Sequence, residues 1–302
     1  MSFGTDITRP DGVEFDRNTY VAMGYLARYR EPTRSLYTLN LRQWFDWCHL
    51  HGFEPLAAER RHIDLWMREL EEVKGLKLST IANKINTVTG FYRYARFDKH
   101  ITDDPAEYLR RPKVPRQTTT VALTRSELLK CLDVAQQTGF QEHALWCLLG
   151  LSGLRIGEAL MLSCEDLGRQ GGYRTLMVTR EKGNRSGAIP LPPRTSWAFD
   201  QHLGTRTSGP LFRMRWGERM DRKAANRIVQ KVVKKAGITK RITPHSLRHT
   251  FMTLALDSGV SVRDCTNSMG YSDTRMVSYY DHGRDSLPRH ASHSVAAFVE
   301  GS

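Results

Sequence analysis

Cations and a phenol recur along the second half of the chain in spacings that suit phosphoryl transfer. Arg155 and Glu158 stand at i, i+3 directly after an apolar helix, so both share one helix face. His245 and Arg248 repeat that spacing, and both can point at one target. Lys182 lies in a polar turn between two strand-like runs, and Tyr279 and Tyr280 come 31 and 32 residues after Arg248. Guanidinium forks grip the non-bridging oxygens on which charge accumulates, while Lys or His moves protons. A tyrosine with a pKa near 10 is a poor nucleophile until neighbouring cations lower that value and a base takes the proton. No metal is needed where fixed cations supply the field.

Each of these residues alone has a plainer explanation. Arg155 could be the buried partner of Glu158, His245 a core histidine and Tyr280 a surface aromatic. Their joint occurrence in one basic domain favours chemistry. Competing signatures fail: Gly150–Gly157 fits neither a dinucleotide fingerprint, a phosphate loop nor a serine-hydrolase elbow. His245 and His249 stand at i, i+4 as in zinc proteases, but Ser246 replaces the required Glu. The five cysteines are at least 16 positions apart, with no Cys-x-x-Cys, which points to reduced, buried thiols in a cytosolic protein. No metal and no cofactor are expected.

The elements that must position these groups begin with a helical first hundred residues. A helix opens at Pro32–Thr33 with the stripe Tyr37, Leu41, Trp44, Phe45 and Cys48, and Gly52 and Pro55 end it. A second runs from about Arg61 to Val73. Ser79 can cap a third, with the stripe Ile81, Ile85, Val88, Tyr92 and Ala95. Opposite that stripe lie Asn83, Asn86, Gly90 and Arg93. Amides and a cation there suit a helix reading a DNA groove, and an ordinary solvated face carries the same residues. The prolines of Arg111–Thr118 mark a linker. Thr124 and Glu127 then form a capping box that opens a new domain. Tyr173–Thr179 and Ala188–Leu191 read as two strands. A later helix turns Ile228, Val229, Val232 and Val233 inward. The boundaries that follow are an extension at 1–15, a helical domain at 16–112, a linker at 113–122 and a second domain at 123–302. The fold class is α+β: mainly helical, with a small antiparallel sheet in the second domain.

Charge narrows the partner. The 302 residues hold 45 Lys+Arg against 32 Asp+Glu, a net of +13. Residues 1–112 carry 17 basic and 16 acidic side chains, whereas residues 113–302 carry 28 and 16. Between Arg213 and Arg241 there are 11 basic residues and 2 acidic ones. A domain of that kind suits a polyanion, most often nucleic acid. The longest uncharged stretch of interest, His143–Leu154, has 12 residues, too few to span a membrane, and the first residues lack a secretory pattern.

Taken together, Arg155 with Glu158, a lysine in a β-turn, His-x-x-Arg-His at 245–249 and a tyrosine about 30 residues on resemble the tyrosine recombinase (phage integrase) family. The resemblance spans the chain and implies a helical, SAM-like core-binding domain, then a catalytic domain. It implies a site-specific DNA recombinase that acts through a covalent 3′-phosphotyrosyl intermediate, without ATP. Arg155 and Arg248 would clamp the scissile phosphate, Lys182 would be the general acid and His245 would assist proton transfer. Glu158 and His249 would support the site from behind. Family spacing selects Tyr280 over Tyr279 and Tyr271 as the nucleophile.

One departure stands out. Met269-Gly270-Tyr271 replaces the usual Leu-Gly-His or Leu-Gly-Trp, so Tyr271 would have to donate a hydrogen bond to phosphate. The DNA contacts expected are Asn83, Asn86, Arg93, Arg180 and Arg185. The partner would be double-stranded DNA carrying recombination sites, engaged by a homotetramer that is a monomer when free, in the cytoplasm at the nucleoid. The apolar run Val295–Val299 would pack on a neighbouring protomer or on its own domain. The layout suits a Xer-like or minimal integrase serving a mobile element. A relaxing type IB topoisomerase and a decayed DNA-binding architectural protein are the competing functions, and the compact helical domain speaks against the first.

Overall fold

The computed structural model describes residues 16–110, 112, 121–180, 186–270 and 299. The linker positions 113–120, Lys182, Arg185, Tyr271, Tyr279, Tyr280 and the tail at 295–298 lie outside the described residues. The chain divides into two compact units, residues 1–116 and 117–302, and the division falls within the stretch read as a linker.

The first unit contains four described α-helices: α1 (Arg17–Ala27), α2 (Thr33–Leu50), α3 (Arg60–Glu72) and α4 (Leu78–Phe97). Helix α4 is the centre, contacted by α1, α2 and α3. Its stripe Ile81, Ile85, Val88, Tyr92 and Ala95 is fully buried, as the spacing predicts. The packing is aromatic. Trp44 stacks on Trp47 at 5.4 Å, meets Trp66 at 5.0 Å, and donates its indole N–H to the Tyr92 hydroxyl at 2.8 Å.

Two expectations for α4 change. Ser79 lies inside the first turn, and the cap position is Lys77, whose side chain makes no capping bond. Gly90 does not belong to an outer face: a Cβ there would lie 2.4 Å from the Tyr25 hydroxyl, so the glycine is where α1 presses on α4. A helical wheel assigns one inner face, whereas α4 is packed from several sides. Helix α1 was not singled out in the sequence. Its anchor is Asp16, whose carboxylate accepts the backbone N–H groups of Asn18 and Thr19.

The second unit opens with α5 (Arg125–Thr138), which carries the expected capping box of Thr124 and Glu127. Then follow α6 (Phe140–Ser152), α7 (Ile156–Met161), the strands β1 (Leu167–Gln170), β2 (Tyr173–Thr179) and β3 (Ser186–Pro190), and the helices α8 (Pro193–Leu203), α9 (Arg222–Lys235), α10 (Pro244–Asp257) and α11 (Val262–Met269). The sheet is antiparallel in the order β1-β2-β3, with Leu176 opposite both Leu167 and Ile189. Strand β1 is an addition to the sequence reading, and β3 begins at Ser186 rather than Ala188. Alternation along β2 turns Leu176 and Val178 into the core while Met177 and Thr179 face out. Helix α6 is buried nearly all round, and α5, α8 and α10 pack against it. Val229, Val232 and Val233 of α9 are buried and Ile228 packs beside them. All five cysteines are free and buried.

Candidate active site

The site grows from the break between α6 and α7. Gly153 caps α6 with φ +62°, a left-handed conformation that a side chain resists. Space demands glycine as well, because a Cβ there would meet the Phe251 ring at 2.4 Å and Met269 Sδ at 3.0 Å. The reversal delivers Arg155 to the N-cap of α7 and Glu158 to its third residue. Glu158 closes back on the cap: Oε2 accepts the Arg155 backbone N–H at 3.0 Å, and Oε1 accepts Nη1 of its guanidinium at 2.7 Å.

Arg248 reaches the same carboxylate from α10. Thr243 caps that helix, with its hydroxyl accepting the Ser246 backbone N–H, and Pro244 fills the first turn. Arg248 is only 2% exposed and its Nη1 stands 4.0 Å from Glu158 Oε2. It donates to two backbone carbonyls, Gly153 at 2.6 Å and Met269 at 2.8 Å. Thr250, two residues on, locks α10 in place. Its hydroxyl accepts the backbone N–H of Leu123 at 2.9 Å and donates to the Ser246 carbonyl.

A third cation joins them. Arg180 directs Nη1 to Glu158 Oε2 at 3.2 Å and Nη2 to the Ser268 carbonyl at 2.9 Å. The sequence reading had this residue on DNA, but the structure aims its donors inward. The signal was available, since Arg180 continues the inward phase of Leu176 and Val178.

Electrostatics follow from this gathering. Burial alone would raise the Glu158 pKa; hydrogen bonds from Arg155, and the charges of Arg155 and Arg180, outweigh it and hold the carboxyl below its ordinary 4.5. His245 is exposed. Partial burial of the imidazole and the charges of Arg248 and Arg155 lower its pKa below 6.5, so it stands as a neutral base near pH 7. His249 is buried, with Nδ1 3.2 Å from the Thr253 hydroxyl. Arg155 is more open than Arg248, its side chain 20% exposed against 2%.

The structure thus brings together Arg155, Glu158, Arg180 and Arg248, with His245 within the field of Arg155 and Arg248. The backbone carbonyls of Gly153 and Met269, which hold Arg248, left no trace in the sequence reading because no side chain announces them. Asn83, Asn86 and Arg93 belong to the first unit and are exposed on α4. Asn83 Oδ1 accepts from Asn40 Nδ2 at 3.0 Å, so its amide is oriented by α2.

Arginines from separate elements converge on one buried acid, beside an imidazole at a helix start, and such an arrangement is suited to holding a phosphate group. The profile of the phage integrase family matches residues 122–286, more than half of the chain. A tyrosine recombinase of Pseudothermotoga lettingae is 26% identical over 260 residues, covering 85% of this chain and 90% of that protein. The tyrosine recombinase XerD of Chlorobaculum tepidum is 28% identical over 264 residues, covering 83% and 85%. In fold, the chain resembles a lambda integrase tetramer bound to a Holliday junction (TM-score 0.69, 18% identity, 88% of this chain and 78% of that one). It also resembles the XerH recombinase bound to its difH substrate (TM-score 0.67, 17% identity, 96% and 91%). The chain belongs to the phage integrase family. It is a site-specific recombinase of the tyrosine type.

Proposed function

We propose that this recombinase cuts and rejoins double-stranded DNA by transesterification at Tyr280. The phenolic oxygen attacks the scissile phosphorus as its proton passes toward His245. The P–O5′ bond breaks, and Lys182 protonates the departing 5′-oxygen. The products are a 3′-phosphotyrosyl ester and a free 5′-hydroxyl, and the 5′-hydroxyl of a second DNA reverses the step. One phosphoester replaces another, so no nucleotide is consumed. Arg155 and Arg248 neutralise the non-bridging oxygens, and Tyr271 stands where the family places a further hydrogen-bond donor. The observation that carries this reading is the convergence of Arg155 and Arg248, 93 positions apart in the sequence, on Glu158. The net charge of +13 supports a polyanionic partner. Asn83, Asn86 and Arg93 on the exposed face of α4 are the proposed groove contacts, with Arg185 a phosphate contact. A homotetramer on synapsed DNA is the proposed working form, in line with the assembly of the lambda integrase likeness.

The test uses a nicked suicide duplex built on the sequence that the protein itself selects from a random library. Wild type is expected to trap a covalent adduct in EDTA, and Tyr280→Phe to bind the duplex without forming one. Failure to select any duplex overturns the reading, and an adduct in Tyr280→Phe overturns the choice of nucleophile. Arg155→Ala is expected to slow cleavage by about 100-fold or more, the scale of one lost oxyanion donor; a loss below about tenfold removes it from the clamp.

A further inference from the structure

Arg180 is the one guanidinium of the cluster that the proposed chemistry leaves without a task. It sits one residue past β2, and its side chain is 11% exposed. One arm reaches Glu158 Oε2 and the other the Ser268 carbonyl, near the end of α11. A Cβ on Gly270 would lie 2.8 Å from its Nε, so the guanidinium runs directly against the backbone that leaves α11. A cation placed for DNA would present its donors to solvent, and these are committed inside the protein.

We propose that Arg180 is a positioning residue that balances Glu158, so that Arg155 and Arg248 keep their positive field for the scissile phosphate. The inference rests on the transesterification reading above. Its first support is charge. Three guanidiniums around one carboxylate leave a net of +2. Attack by a phenolate on a phosphodiester monoanion gathers two negative charges in the transition state. Without Arg180 the cluster falls to a single positive charge, and Glu158 opposes the clamp with more of its own. Arginine does not discharge at any working pH, so the match holds across the enzyme's range.

Geometry is the second support. Glu158 Oε2 already accepts the Arg155 backbone N–H, and Arg180 donates to the same oxygen from a second direction. The carboxylate is thereby held from three directions at 0% exposure. A carboxylate so held cannot swing toward the phosphate side, where it would repel the substrate. Arg180 therefore acts on the phosphate through Glu158 and touches no reacting atom.

The experiment compares two suicide duplexes of the library-selected sequence, one with an ordinary scissile phosphodiester and one with a methylphosphonate at that position. The methylphosphonate lacks one anionic oxygen, so its transition state needs less positive charge. Arg180→Gln is expected to slow single-turnover cleavage of the diester by about tenfold or more, below the roughly 100-fold of a direct oxyanion donor. On the methylphosphonate the loss should shrink to about threefold or less, with duplex affinity unchanged. Arg180→Lys, which keeps the charge, should recover the diester rate to within about threefold of wild type. Equal losses on both substrates, no loss on the diester, or a defect confined to DNA affinity would each overturn the proposal. If Arg180→Gln does not fold, Arg180→Lys decides alone, and a larger loss on the diester than about threefold overturns it. Arg155→Ala serves as the control: its defect should also shrink on the methylphosphonate, and if it does not, the clamp reading itself falls, separately from Arg180.

Discussion

Lys84 in the first unit and Glu158 in the second are both buried charges, yet their surroundings treat them differently. Lys84 is 7% exposed and gives its ammonium to the amide oxygen of Gln43. Burial, with the charge of Lys74 added, pushes its pKa below 10.5, toward the neutral form. Glu158 is buried more completely, but its pKa is lowered as well, which for an acid means toward the charged form. One amide oxygen faces the first, and guanidiniums face the second. Removing a charge from water costs several kcal/mol, so a protein that holds one ionised in its interior does so against stability. The first unit tolerates its charge; the second has assembled three elements to keep one.

Breaking that arrangement should give the largest effect. Glu158→Ala leaves Arg155, Arg180 and Arg248 facing one another without the acid, at an expected cost of about 3–5 kcal/mol in urea unfolding. A cost under about 1 kcal/mol would show that the cluster is not held by its acid. The effect should depend on pH in one direction. A carboxyl with a folded pKa below 4.5 stabilises fully above that value and loses its contribution as pH falls through the lowered one. The variant and wild-type curves should therefore converge only below pH 4.5.

Next in size is Gly153→Ala, which strains a left-handed position and forces a methyl into the Phe251 ring. Roughly 2–4 kcal/mol is expected in thermal or urea unfolding, with cleavage reduced in parallel because Gly153 also offers its carbonyl to Arg248. The smallest effect belongs to the first unit. Lys84→Met should leave stability unchanged or raise it by about 1 kcal/mol, since an apolar side chain replaces a cation that burial disfavours. A loss above about 2 kcal/mol would mean that Lys84 is held as firmly as Glu158, and the contrast between the units would disappear.

The helices and the pairing of Arg155 with Glu158 were legible because their signals are local. Arg155 with Glu158, and His245 with Arg248, are each set by a helix turn, and the stripes of α2 and α4 follow one period. What escaped depended on partners far along the chain. Gly90 looked outward until Tyr25 was found against it. Strand β1 is four residues long with only Leu167 partly buried, which leaves no alternation to read. Arg180 is among the expected DNA contacts, whereas the phase of β2 points it inward. At that position the period of the strand outweighs the chemistry of the side chain.

Arg248 fastens itself to carbonyls 95 and 21 positions away, one at the end of α6 and one at the end of α11. Both acceptors are main-chain oxygens, so the anchorage depends on where the backbone runs and not on a partner side chain. With α11 undocked, Arg248 loses the Met269 carbonyl and keeps that of Gly153. The contacts that bring the ends of α6 and α11 together are thus the same ones that set the Arg248 side chain in place.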